Sequence, residues 1–214
     1  MNLPNKLTVL RLIMVPIFMV VMLIPVFAEL SPMADMIMTL VGALLFIAAS
    51  ITDMLDGKIA RRDNLVTDFG KFLDPLADKF MVIGALLCVL FNASASGSKG
   101  LSTIYFFALI IVVFRELAVT SIRLVASSSG GVVIAANMLG KVKTVFQIIA
   151  ICSSMLEPIL IKIIGIFLGE GSIPQIVLNH PPLTCLSFVI MMYLTVHSGI
   201  NYIVGAWKYL DPEK

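Results

Sequence analysis

Asp53, Asp56, Asp63, Asp68, Asp74 and Asp78 put six carboxylates within 26 residues of a chain that is 59% hydrophobic. On a helix, residues three or four apart share a face. Asp53, Asp56, Gly57 and Ala60 follow that spacing, and so do Gly70, Asp74 and Asp78. Each run sets acids beside residues with almost no side chain, which leaves a hollow where a ligand can approach the backbone. Two like charges about 4 Å apart repel by roughly 4 kcal/mol at an effective dielectric near 20. Four converging carboxylates therefore need cations. Oxygen-only donors favour Mg2+, Mn2+ or Ca2+, and the absence of His180, His197 and all cysteines from the stretch argues against zinc. A carboxylate-held metal that meets an anion suits phosphoryl transfer, and Arg61 is placed to add a fork to a phosphate. Asp63 and Asp68 read as solvated residues of the connecting loop.

The elements that carry these residues are membrane spans. Mean hydropathy is +1.05 and charged residues make up only 13% of 214 residues, well outside the soluble norm. Taking about 20 apolar residues per crossing, the sequence predicts an all-α integral membrane protein. It is read as a single membrane-embedded domain over residues 1–214, with six spans at about 7–28, 34–60, 70–93, 101–126, 138–166 and 182–208. Pro75 predicts a kink or a late helix start between Asp74 and Asp78. The apolar run ending at VFA, residues 26–28, is too long for a secretory h-region, so no cleavage is expected. Cys88, Cys152 and Cys185 sit singly in apolar runs and read as packing residues.

A net charge of +2 with scattered basic residues gives no case for nucleic acid. The basic residues do distinguish the two sides of the membrane. With the N-terminus inside, eleven of fifteen lie cytoplasmically: Lys6, Arg11, Lys58, Arg61, Arg62, Lys71, Arg123, Lys141, Lys143, Lys208 and Lys214. Both termini and the aspartates are therefore expected on the cytoplasmic side. Arg115 and Glu116 lie inside the fourth span, and Lys143 opens the fifth beside Lys141. Charges at such depth line polar cavities, and the excess of cations points to an anionic second substrate. Pairing of Arg115 and Arg123 with Glu116 is the structural alternative. Asn5, Thr8 and Arg11 share one side of the first helix, either as cap and anchor or as contacts to substrate phosphate. Tyr193, His197 and Asn201 form a polar stripe on the last span that reads as interhelical hydrogen bonding.

The pattern Asp53-x-x-Asp56-Gly57-x-x-Ala60-Arg61, eight residues, then Gly70-x-x-x-Asp74-x-x-x-Asp78 resembles the signature of the CDP-alcohol phosphotransferases, membrane enzymes of phospholipid synthesis. The resemblance implies that family's six-helix fold, a homodimer, and a divalent metal, Mg2+ or Mn2+, on Asp53, Asp56 and Asp74. Asp78 would be both near the metal and the general base. Asp56, Gly57, Ala60, Arg61 and Gly70 would face the cytidine and its phosphates, with Thr8 beside them. The opening NLPNKLTVLR, the REL at 115–117 with Arg123, and LGKVKT at 139–144 resemble family members that join glycerol 3-phosphate to CDP-diacylglycerol and release CMP. Arg115, Arg123, Lys141 and Lys143 would then grip the acceptor. Other acceptors, as in cardiolipin or phosphatidylinositol phosphate synthesis, are the nearest alternative. A divalent-cation carrier is the rival from another class, but it leaves Gly57, Ala60 and Arg61 without a role.

Overall fold

The computed structural model describes residues 2–28, 30–62, 67–128, 138–169 and 173–207, apart from the side chains of residues 60, 61, 71 and 126–128. Asp63, Lys208 and Lys214 lie outside the described residues. The chain is all-α: α1 (Leu3–Phe27), α2 (Pro32–Arg62), α3 (Asp68–Ala95), α4 (Lys99–Ser128), α5 (Met138–Leu168), the short α6 (Gln175–Asn179) and α7 (Pro182–Ala206). All but α6 are long and apolar enough to cross a membrane. Helices α1 to α4 begin two to four residues before the apolar spans, and polar side chains cap the starts of α1 and α3. Asn2 accepts the Asn5 backbone N–H at the start of α1, and Pro4 sits in the first turn, where its missing N–H costs nothing. At the start of α3 the loop placement of Asp68 fails, and of the two alternatives for Pro75, a kink or a late helix start, the late start fails. Thr67 caps the helix by accepting the Gly70 N–H at 3.1 Å, so Asp68 belongs to the first turn rather than to a loop. Pro75 lies well inside that helix, so the start is early, not late.

Helix α1 packs against α2 and α3, α5 and α4 pack on α7, and α3 touches α4 and α5 as well. Helix α3 is the most buried of the six spans. The core joins Phe18, Phe46, Met81, Leu86, Val112, Ile151, Met155, Phe188 and Met191. Ala43, Ala85, Ala108 and Ala150 are fully buried among them; small residues let helices approach where lipid supplies no hydrophobic drive. Large apolar side chains such as Phe80, Phe107, Phe114 and Phe167 face outward, as suits a surface solvated by acyl chains.

The start of α7 shows complete accounting of backbone donors. Pro182 has no N–H. Leu183 N and Thr184 N both donate to the Glu157 carboxylate of α5, at 3.0 and 2.6 Å, and the Thr184 hydroxyl adds a third bond at 2.7 Å. Cys185 N then reaches the Pro181 carbonyl at 2.9 Å. Glu157 is only 9% exposed. It went unnoticed in the sequence reading, although an acid at mid-span beside Pro158 was visible there. Glu157→Ala strands the buried Thr184 N–H, at about 1–3 kcal/mol, and the part-buried Leu183 N–H. We expect it to lower thermal stability in detergent while the KM for both substrates stays unchanged; an unaltered melting profile would refute this role.

Candidate active site

The first turns of α1 and α3 are tied together. Asn5 Nδ2 donates to Thr67 Oγ1 at 2.9 Å, and the Thr67 hydroxyl lies 3.1 Å from Asn5 Oδ1. Gly70 is needed beneath that pair, because a Cβ there would come within 3.0 Å of Asn5 Oδ1 and 3.4 Å of Thr67 Oγ1. One turn further along α1, the Thr8 hydroxyl donates to Asp74 Oδ1 at 2.7 Å and lies 3.5 Å from Asp56 Oδ2. Another turn on, the Arg11 guanidinium is fully buried and meets three carboxylates. Its Nη1 stands 2.5 Å from Asp53 Oδ1 and 2.6 Å from Asp78 Oδ1, while Nη2 bonds Asp56 Oδ2.

All four signature aspartates therefore converge on α1, from two turns of α2 and two of α3. Their access differs. The Asp56 side chain is 5% exposed, Asp53 27% and Asp78 49%, so of the three acids on Arg11 Asp78 is the most open to an arriving group. Gly57 is half-buried beside Asp56, and the buried Gly70 lies one turn before Asp74. Ala60 and Arg61 continue α2 past the acids, but their side chains lie outside the described set. Asn5, Thr8 and Arg11, read from sequence as cap and anchor or as phosphate contacts, also bind Thr67 or the acids directly.

The oxygen-only donor set, with four negative charges against one guanidinium, fits a divalent cation in charge and hardness. Among the described residues, however, no three His, Cys, Asp or Glu side chains form a ready metal cage. The carboxylates are arranged around Arg11 instead.

A second charged group adjoins this one. Lys79, next to Asp78, donates to Thr120 Oγ1 of α4 at 2.7 Å, and that hydroxyl donates to the Glu116 carbonyl. Glu116 Oε1 accepts from Arg115 Nη1 at 3.0 Å and pairs with Lys143 Nζ of α5. Lys143 is 4% exposed. Thus Glu116 holds two of the four predicted acceptor cations. The alternative of a pair between Arg123 and Glu116 is not what forms: Arg123 Nε donates to the Tyr202 hydroxyl of α7 at 3.0 Å, and its guanidinium lies 5.3 Å from that ring's centre. Lys141 is exposed at the entry of α5. Arg115 Nε and Gln147 Nε2 are buried without a partner. Gln147 follows Lys143 by one turn and was missed, since a lone glutamine in an apolar run carries little sequence signal. Tyr202 was missed for the same reason.

The polar stripe of α7 corrects its prediction. Tyr193 and His197 stack with ring centres 5.8 Å apart, and Asn201 bonds His197 at 3.2 Å. All three point away from the bundle, so their bonds run along one helix rather than between helices. The cysteines are free, as their spacing suggested.

Comparison with known proteins finds relatives that match nearly the whole chain. The CDP-alcohol phosphatidyltransferase family model matches residues 1–208. The chain is 40% identical to the CDP-diacylglycerol–glycerol-3-phosphate 3-phosphatidyltransferase of Bacillus subtilis, over 98% of this chain and 97% of that one. It is 33% identical to the enzyme of the same name from Rickettsia bellii, over 97% of each. Identity is 32% to a probable phosphatidylglycerophosphate synthase of Mycobacterium tuberculosis, over 97% of this chain and 82% of that one.

Proposed function

The chain belongs to the CDP-alcohol phosphatidyltransferase family, and we infer from that membership and from the aspartate cluster that it transfers the phosphatidyl group of CDP-diacylglycerol to glycerol 3-phosphate. The products are phosphatidylglycerophosphate and CMP. The convergence of Asp53, Asp56, Asp74 and Asp78 on one point carries this reading, because it supplies the concentrated negative charge that a metal-assisted displacement at phosphorus requires. The chain is an integral membrane protein; we place the site and both termini on the cytoplasmic side, from the distribution of lysine and arginine, and read the protein as a homodimer by resemblance.

Asp53, Asp56 and Asp74, with Asp78 beside them, would hold Mg2+ or Mn2+, which when bound offsets charge on the pyrophosphate oxygens. The rest of the chemistry belongs to the chain. Half-exposed Asp78 takes the proton from the 1-hydroxyl of glycerol 3-phosphate, whose oxygen attacks the lipid-bearing phosphorus as CMP departs. Gly57, Ala60, Arg61 and Gly70 receive the cytidine diphosphate portion along the cytoplasmic ends of α2 and α3. Arg115, Lys143 and Arg123, with Lys141 at the entrance, face the acceptor phosphate. The exposed apolar surfaces of α2 and α3 leave the acyl chains in lipid. No serine, cysteine or histidine stands among the four acids, so direct displacement needs no covalent enzyme intermediate.

The test is release of CMP from labelled CDP-diacylglycerol by the purified protein, with glycerol 3-phosphate, glycerol, inositol and phosphatidylglycerol as competing acceptors, with and without EDTA. Glycerol 3-phosphate should be preferred and EDTA should stop the reaction. Equal use of an uncharged acceptor would overturn the acceptor assignment. Undiminished turnover in EDTA would overturn the metal. Separately, Gly57→Leu fills the hollow beside Asp56 without altering a charge. It should sharply weaken CDP-diacylglycerol binding in a protein that still elutes as a single folded species; unaltered binding would mean that the nucleotide lies elsewhere.

A further inference from the structure

Arg11 is the residue that the proposed mechanism leaves without a role. It is fully buried, and two nitrogens of one planar fork reach Asp53, Asp56 and Asp78. Among the described residues its Nε has no partner, and the hydrogen bonds and ion pairs of the side chain go to the carboxylates. A guanidinium is always charged and suits carboxylate geometry. Three acids on two helices that would otherwise repel one another are thereby drawn to a shared centre. They form no three-carboxylate cage there. Thr8 plays the corresponding part for Asp74, but through a neutral hydroxyl.

We propose that Arg11 is the resident counter-cation of this site: it holds Asp53, Asp56 and Asp78 together when no metal is bound, and it competes with the divalent cation for those same oxygens. The inference rests on the reading of the aspartates as a metal site. Its consequence is a protein that folds and persists without metal, at the expense of metal affinity, because loading requires carboxylate oxygens to leave the guanidinium. Arg11 is a positioning residue in this account. It sets how tightly the cation is held and carries out no step of the transfer.

Full-length wild type, Arg11→Gln and Arg11→Lys, purified in detergent, would be compared by Mn2+ titration with electron paramagnetic resonance and by thermal unfolding in EDTA and in Mn2+. In EDTA, Arg11→Gln should unfold about 10 °C below wild type, because three acids lose the guanidinium that pairs with them. Mn2+ should stabilise the variant more than it stabilises wild type and so narrow that gap. The same variant should bind Mn2+ about tenfold more tightly or better. Arg11→Lys, which keeps one charge but lacks the fork, should fall between the two in both measurements. A purely structural arginine would lower stability in EDTA and Mn2+ alike and leave metal affinity unchanged or weakened, and that result overturns the proposal. Should Arg11→Gln fail to fold even with Mn2+, the lysine variant decides: affinity above wild type supports competition, and affinity at or below it refutes competition. Absence of Mn2+ binding in wild type would instead remove the metal reading and this inference with it.

Discussion

Asp56→Asn is expected to lower CMP release by about two to three orders of magnitude, the usual scale for losing a buried electrostatic element at a reacting phosphorus or carbonyl. Asparagine preserves the shape and can still accept a hydrogen bond from Arg11, so the fold should survive. What disappears is one negative charge from a side chain only 5% exposed, where surrounding water cannot replace it. Asp53→Asn and Asp74→Asn should act in the same direction and should also weaken Mn2+ binding. Asp78→Asn should lose turnover yet retain much of the affinity for CDP-diacylglycerol, because its carboxylate is the open one. Asp63→Asn, which the spacing leaves out of the signature, should be nearly silent. Initial-rate assays at ordinary Mg2+ check all five, and substantial turnover in Asp53→Asn or Asp56→Asn would sink the carboxylate-centred mechanism.

Lys143→Gln should give the second large effect, and on a different substrate. A charge-assisted contact to phosphate contributes about 1.5–3 kcal/mol, or roughly ten- to a hundredfold in affinity. The KM for glycerol 3-phosphate should rise by that factor while CDP-diacylglycerol binding stays near wild type. Lys143 is buried and shares the Glu116 carboxylate with Arg115, so its loss leaves Glu116 with one partner rather than none. Arg115→Gln should act similarly. Arg123→Gln should have a smaller effect, since its guanidinium lies on an exposed face and is engaged with Tyr202. Lys141 should matter least. Rates measured across acceptor concentrations, on variants first shown to be folded by size exclusion, decide the matter: an unchanged acceptor KM in well-folded Lys143→Gln would remove it from the acceptor site.

Much of this was legible in the sequence because both signals are local. Hydropathy over windows of about 20 residues marks the spans, and the spacing of Asp53 and Asp56, or Asp74 and Asp78, places each pair on one helical face. Helix ends were less legible: caps at Asn2 and Thr67 depend on single side chains, and Pro75 disfavours helix locally yet is carried within α3 by packing. What the sequence hid was partnership at long separation. Arg11 read as an interfacial anchor or a phosphate contact, since nothing near residue 11 is acidic, and Lys143 and Glu116, 27 positions apart, could not be matched from order alone. The outward direction of Tyr193, His197 and Asn201 was hidden for a related reason, as polarity announces a stripe without saying which way the helix is turned. Glu157 stood in plain sight at mid-span, and only the backbone donors of α7 explain its presence there.

The ion pairs of Arg11 also bear on how the chain is made. Arg11 lies eight residues into α1, about 12 Å along the axis at 1.5 Å per residue, a depth at which an unpaired arginine in a bilayer costs up to about 2.5–3.5 kcal/mol unless it can reach the headgroups. Its partners are distant in synthesis: Asp56 follows 45 positions later and Asp78 67 positions later. As the nascent chain leaves the ribosome, α1 therefore enters the membrane with its arginine held at the interface, and the side chain can turn inward only once α2 and the first turns of α3 have followed. The charge balance of Arg11 can therefore be completed only after residue 78 has been made.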